Sequence, residues 1–164
     1  MSLGQRVSSD HQLARLLQIG VVLEELVESR AAHHLESLSP DERAAIDEEV
    51  RELLEEAAEE SADHRERLEA LVDDLDAETV PYEEINQLVD AQYGPPADTD
   101  GVLYDQLASE ETAYKFYDDL IEAIEASDAE FAIDRDRLLE TLTEIREEER
   151  DGVEDVTDIM ERRA

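Results

Sequence analysis

Apolar residues recur at three- and four-residue steps through most of the chain, and this period is that of an amphipathic α-helix. The first run covers about residues 9–38 and the second about 41–75. After an interruption, two more runs cover about 102–126 and 128–162. No stretch alternates apolar and polar residues as a half-buried strand does. The pattern therefore predicts an all-α protein with four main helices.

Turn signals separate these runs and suggest how the helices connect. Residues 39–42 (Ser-Pro-Asp-Glu) and 127–130 (Ser-Asp-Ala-Glu) are typical helix starts, each with a capping serine followed by an acid. Residues 76–101 break the helical period and hold a short helical piece. Short connections make helices one and two, and three and four, antiparallel neighbours. We predict one domain, 1–164: an antiparallel four-helix bundle whose long crossover, 76–101, joins helices two and three.

The charge of the chain narrows its possible partners. It has 48 Asp and Glu against 14 Lys and Arg, for a formal charge of -34. A field of this sign repels phosphate, which disfavours nucleic-acid binding. The chain has no cysteine, no apolar run long enough for a membrane span and no signal pattern at its start. We expect a cytoplasmic protein without a membrane partner. The many acids and the single lysine of the chain are typical of proteins from halophiles, in which most of the acids serve to hydrate the surface.

Four polar residues fall near the centres of the apolar stripes, one on each helix: Glu24, His64, Glu110 and Glu149. Each lies near the middle of its helix, so in an antiparallel bundle they converge at one level. A buried carboxylate without a partner costs several kcal/mol, and no Arg or Lys lies at a stripe centre. A bound metal ion resolves this arrangement, and Glu/His sets suit iron, manganese or zinc. The alternative is that these groups share protons, bind water or rotate outward.

Helix three carries the motif that most resembles a known family. Glu110, Ala113 and Tyr117 resemble the Glu-x-x-Ala-x-x-x-Tyr of ferritin-like proteins of the rubrerythrin and diiron-carboxylate kind. A weaker version begins at Glu24 and lacks the tyrosine. The two halves of the chain also match each other, with Glu24 aligned on Glu110 at an offset of 86 residues. In that family, helices one and three each give one Glu, and helices two and four each give a Glu-x-x-His pair.

The chain departs from the family pattern at two positions. Ser61 stands where the pattern has a Glu three residues before His64, and Gly152 stands where it has a His three residues after Glu149. Four of six family ligands remain: Glu24, His64, Glu110 and Glu149. Two further acids, Glu60 and Glu148, lie one residue from the motif positions. They could replace the missing ligands only if the helices were rotated or bulged.

The resemblance implies an all-α ferritin-like antiparallel four-helix bundle that binds metal at a reduced site, either mononuclear or a degenerate dinuclear centre. Iron or manganese would be held by Glu24, His64 and Glu149, with Glu110 near the second position. If the protein is an enzyme, the family chemistry is oxidation with oxygen or peroxide. The alternative is a metal-free ferritin-like module that dimerises or binds a partner. Apolar residues off the core stripes, Leu26 and Tyr104 among them, suggest the face of a homodimer.

Overall fold

The computed structural model describes residues 7–37, 40–41, 48–79 and 99–163. Four long helices account for most of them: α1 (Asp10–Ser37), α2 (Glu48–Asp73), α3 (Thr99–Glu125) and α4 (Arg135–Arg163). No strand occurs in these ranges, so the predicted all-α class is confirmed for the part that the structure describes. Residues 40–41, where helix two was predicted to start, are helical, whereas 42–47 and most of the predicted crossover, 76–101, lie outside the described residues.

The helices pack as antiparallel neighbours. α1 lies against α2 and α3, and α4 lies against the same two helices from the other side. At one end, the Asp10 carboxylate accepts hydrogen bonds from the backbone N–H of Asp76 (2.9 Å) and of Ala132 (3.1 Å). At the other end, Arg162 pairs with Glu49, and His34 Nε2 lies 3.0 Å from Asp105 Oδ2. α2 therefore ends where α1 begins, and α3 begins at the opposite end.

The apolar interior forms two clusters along the helix axes. The larger lies toward the Asp10 end and includes Leu17, Leu68, Leu120 and Leu142. The smaller lies toward the opposite end and includes Leu54, Leu103 and Val156. Each fully buried Leu or Val contributes about 1.5–3 kcal/mol relative to an exposed position, so these clusters hold the helices together. None of the four helices, over its described residues, combines the length and apolar character that crossing a bilayer requires.

The predicted start of the fourth helix at residue 128 is wrong, because α4 begins at Arg135. The Ser127 hydroxyl donates to the Val7 carbonyl (2.5 Å), which ties it to the segment before α1. The Arg135 guanidinium then donates to the carbonyls of Ile124, Ser127 and Ala129, which holds a turn where a helix was expected. The third helix also differs slightly, since it begins at Thr99 rather than residue 102.

Candidate metal centre

A layer of buried polar side chains separates the two apolar clusters. It contains Ser61, Gln106 and the four residues expected from the sequence to point inward, which we call the inner cluster: Glu24, His64, Glu110 and Glu149. Each member of the inner cluster is 5% exposed or less. The structure therefore places all four inside, one from each helix.

Helical spacing explains why these side chains point inward. Glu24 follows Val21 by three residues and precedes Val27 by three, and both valines are buried. Residues three or four apart share one face of an α-helix, so burying the valines carries the carboxylate in with them. His64 lies in the same way between buried Ala57 and Leu68. Packing thus forces polar groups to meet at the middle level.

Three of the four side chains meet closely. His64 Nδ1 lies 3.0 Å from Glu149 Oε1 and 3.4 Å from Glu24 Oε1. One donor atom from each of the three residues falls within 4.8 Å of the others. The set combines two carboxylates with one imidazole, which suits iron, manganese and zinc better than calcium or magnesium.

Glu110 lies against α4 beside this set. Its Oε1 accepts a 2.8 Å hydrogen bond from the Gln106 side chain, one turn earlier on α3. A Cβ atom built at Gly152 would lie 2.7 Å from Glu110 Oε2 and 2.8 Å from its Cδ. The glycine therefore leaves the space that the Glu110 carboxylate fills, at the position where the family pattern has a histidine.

Tyr117 fixes the orientation of Glu24. Its hydroxyl donates a 2.6 Å hydrogen bond to Glu24 Oε1, and both side chains are fully buried. A hydrogen bond from a neutral donor to an ionised acceptor is stronger than one between neutral groups. The charge of Glu24 in turn helps to raise the pKa of Tyr117 well above its usual value, after burial, which is the larger cause. Tyr117 therefore stays protonated and keeps donating.

The other ring nitrogen of His64 faces the protein surface between α2 and α4. Nε2 lies 2.8 Å from Glu148 Oε2 and 3.8 Å from Glu60 Oε1. Both acids are partly exposed, and Glu148 also accepts hydrogen bonds from Arg67 Nη2 at 2.8 and 3.1 Å. The imidazole thus has buried carboxylates on one side and surface carboxylates on the other.

Burial and nearby charge change the proton affinity of the inner cluster. Burial lowers the pKa of His64, but hydrogen bonds and charges from Glu24, Glu148 and Glu60 outweigh it, and the net pKa is raised. Burial, followed by the negative charge of Glu24, raises the pKa of Glu149 far above the usual carboxyl range. In the metal-free protein, the charge of the inner cluster is therefore best balanced when both His64 and Glu149 are protonated.

The arginines of α2 near the inner cluster form ion pairs with acids outside it. Arg65 pairs with Glu25 and Glu28, and Arg67 pairs with acids on the surface of α2 and α4. Within the described ranges, no Lys or Arg forms an ion pair with Glu24, Glu110 or Glu149. His64, which lies beside Glu24 and Glu149, can supply one unit of positive charge to these carboxyl groups.

Two observations indicate that the donor atoms of Glu24, His64 and Glu149 fit a single transition-metal ion. Two donors about 2.1 Å from one ion lie roughly 3.0 to 3.4 Å apart in octahedral or tetrahedral geometry, as do the His64–Glu149 and His64–Glu24 atom pairs. In addition, Glu24 Oε2 and Glu110 Oε2 are buried without an N–H or hydroxyl donor among the described residues, and a protonated Glu149 can share only its single proton with these two carboxyl groups. Buried acceptors without partners are costly, and a cation would satisfy them.

The two departures from the family pattern remain departures in the structure. Ser61 is buried in the polar layer without adding a carboxylate, and Glu110 fills the space beside Gly152. Glu60 and Glu148 do not enter the inner cluster, because both approach His64 from its surface side. α2 and α4 run as regular α-helices through these positions, without the bulge that would turn either acid inward.

Two contacts of this centre were not predicted from the sequence. Gln106 precedes Glu110 by one helical turn, so its place on the same inward face was available as a signal. The contact from Glu148 to His64 Nε2 could not be predicted from the sequence, because it depends on which ring nitrogen faces the surface.

Comparisons with protein-family models, with curated proteins and with solved structures found no match for this chain.

Proposed function

We propose that the chain is a ferritin-like metal-binding protein that holds one iron or manganese ion at Glu24, His64 and Glu149. The observation that carries the proposal is the meeting of these donors around buried carboxylate oxygens that no described cation satisfies. The placement of the helix ends supports the ferritin-like part, because α2 ends and α3 begins at opposite ends of the molecule, as a long crossover requires.

The roles of the individual side chains follow from their contacts. His64 Nδ1 and the carboxylates of Glu24 and Glu149 would hold the ion, and Tyr117 would keep Glu24 oriented. Glu110 would occupy the position beside Gly152 where the family pattern has a second histidine, which argues for one ion rather than two. Bound iron would supply redox chemistry with oxygen or peroxide. We place this activity in a salty cytoplasm, where the -34 charge keeps the protein hydrated.

Metal content tests the proposal. Protein purified without a histidine tag is loaded with Fe²⁺ under nitrogen or with Mn²⁺, dialysed, and analysed by mass spectrometry for metals. We expect about one ion per chain, lost in Glu24→Ala and in His64→Ala. Glu28→Ala and His34→Ala are matched controls on α1, because both residues lie outside the inner cluster. Wild-type protein that stays metal-free after both loadings contradicts the proposal.

A metal-free interaction module is the second candidate, and we propose a second copy of this chain as its partner. The observation in its favour is a stripe along α1 and α3 that we call the acid-poor face: Arg15, Ile19, Leu23, Leu26, Arg30, Tyr104, Ala108, Thr112 and Lys115. Arg30 on this face pairs with Asp105, and Lys115 pairs with Asp119. Ile19 is 49% exposed and Tyr104 is 63% exposed. Five of the nine residues line one shallow groove of about 220 Å³.

Charge argues for a second copy on this face. Two chains of charge -34 repel each other wherever their acidic surfaces meet, so they associate more readily through a face with few acids, each of them paired with a basic residue. Light scattering on a sizing column at high KCl should give twice the chain mass. Ile19→Glu should reduce it to one chain, and Ala32→Glu, an exposed change elsewhere on α1, should not. Wild-type protein that runs as a monomer contradicts the dimer.

A further inference from the structure

A second group of donors lies on the surface side of His64, and we call it the outer triad: Asp63, His64 and Glu148. It shares the imidazole with the inner cluster, since Nε2 faces Glu148 at 2.8 Å while Nδ1 faces Glu149 at 3.0 Å. Its two acids are 53% and 42% exposed, whereas the ring is fully buried. One imidazole therefore links carboxylates in contact with solvent to carboxylates sealed in the interior.

Glu60 adds a third acid beside this link. Its Oε1 lies 3.8 Å from His64 Nε2 and is buried without a hydrogen bond from any described residue, although the side chain as a whole is 37% exposed. The buried Glu24 Oε2 beyond the ring is also without such a bond. Buried acceptors without such a bond thus occur beside both ring nitrogens of His64.

Arg67 covers the outer triad. Its guanidinium donates to Asp63 Oδ2 at 2.5 Å and to Glu148 Oε2 at 2.8 Å, the same carboxylates that the triad offers to a cation. It also reaches Glu144 at 3.4 Å. Arg67 therefore holds a positive charge where an incoming cation would otherwise be attracted.

We propose that the face of α2 and α4 formed by Glu60, the outer triad and Arg67 is the entry port through which a divalent cation reaches the inner cluster, with Arg67 as its plug. The outer carboxylates concentrate cations at the port, and His64 presents one donor nitrogen to each side. Arg67 must leave Glu148 before that carboxylate can bind a cation. This inference rests on the proposed metal site, but it concerns the rate of entry rather than the affinity of the site.

The rate of Co²⁺ uptake tests the port, with Co²⁺ absorbance followed after rapid mixing at the lowest KCl concentration at which all variants keep the circular dichroism spectrum of the folded protein. Focusing by surface carboxylates changes association rates by about 10-fold or more. We therefore expect the Asp63→Asn/Glu148→Gln double variant to take up Co²⁺ about 10-fold more slowly than wild type. Arg67→Gln should take it up several-fold faster. The number of Co²⁺ ions bound at equilibrium should remain that of wild type in all cases.

Matched controls separate the port from net charge. Asp118→Asn/Asp119→Asn removes the same charge from two partly exposed, ion-paired acids on α3, and Arg137→Gln removes an exposed arginine paired with Asp74. Neither should change the rate more than twofold. Port variants with rates within twofold of wild type at unchanged stoichiometry would overturn the port and leave the proposed site standing. Wild-type protein that binds no Co²⁺, Fe²⁺ or Mn²⁺ would overturn both.

Discussion

Replacing Gly152 by alanine tests whether the Glu110 carboxylate occupies the space that the glycine leaves. The new Cβ would lie 2.7 Å from Glu110 Oε2, 2.8 Å from Cδ and 3.1 Å from Oε1. Ordinary contacts of this kind are about 3.5 Å, so Glu110 must move away from its hydrogen bond with Gln106. Overpacking of a filled interior costs about 1–3 kcal/mol, while alanine gains about 1 kcal/mol over glycine inside a helix. We expect a net loss of up to about 2 kcal/mol.

A second background reverses the sign of this effect. In Glu110→Ala protein the carboxylate is absent, so Gly152→Ala should stabilise by about 1 kcal/mol through helix propensity alone. The free energies of unfolding of all four metal-free proteins would be measured by urea titration, followed by circular dichroism at high KCl. The cycle should give a coupling of about 1–3 kcal/mol. The reasoning is refuted if Gly152→Ala stabilises equally in both backgrounds.

Three further predictions concern the hydrogen bonds and charges of the centre. Tyr117→Phe leaves Glu24 Oε1 without its buried donor and should lower the free energy of unfolding by about 1.5–3 kcal/mol, measured by urea titration; an unchanged value would contradict the Tyr117–Glu24 contact. Burial raises the pKa of Glu60 to about 7. The folded protein thus holds this proton more tightly than the unfolded chain, so the Glu60 contribution is present below pH 4.5 and is lost as pH rises through 7. The difference between the pH–stability curves of wild type and Glu60→Gln should show that slope, and parallel curves would contradict it. Added salt screens the repulsion among the acidic side chains of a chain of charge -34, so the melting temperature should rise steeply between 0.1 and about 1 M KCl. A melting temperature that does not change with KCl would contradict a large destabilisation by this repulsion.

Helical periodicity was sufficient to predict most of the helices and the inward direction of the polar residues. The period places Glu24 and His64 on buried faces whatever the neighbouring helices do, because the apolar residues around them must be buried. The same reasoning failed at the start of α4. Ser127 looks like a helix cap, yet its hydroxyl donates to Val7, a residue far away in the chain. A local pattern cannot show a contact of that kind.

Details of the centre depend on rotations that sequence spacing does not determine. Gly152 stands where the family pattern has a histidine, which suggests from the sequence alone that a ligand has been lost. In the structure, the space beside this glycine is filled by Glu110 from another helix. Glu148 is adjacent to an inward residue and still reaches His64, because a long side chain can bend around the ring from the surface. Such contacts require the relative rotation of two helices, and this rotation follows from packing rather than from either sequence segment alone.

Anomalous diffraction from a crystal grown with Mn²⁺ or Fe²⁺ tests the central claim most directly. Data collected on both sides of the absorption edge of the metal locate the ion without reference to the protein chain. The account predicts one anomalous peak per chain, about 2.0–2.3 Å from His64 Nδ1 and from carboxylate oxygens of Glu24 and Glu149. An interior without an anomalous peak, with His64 hydrogen-bonded to those carboxylates instead, would contradict it.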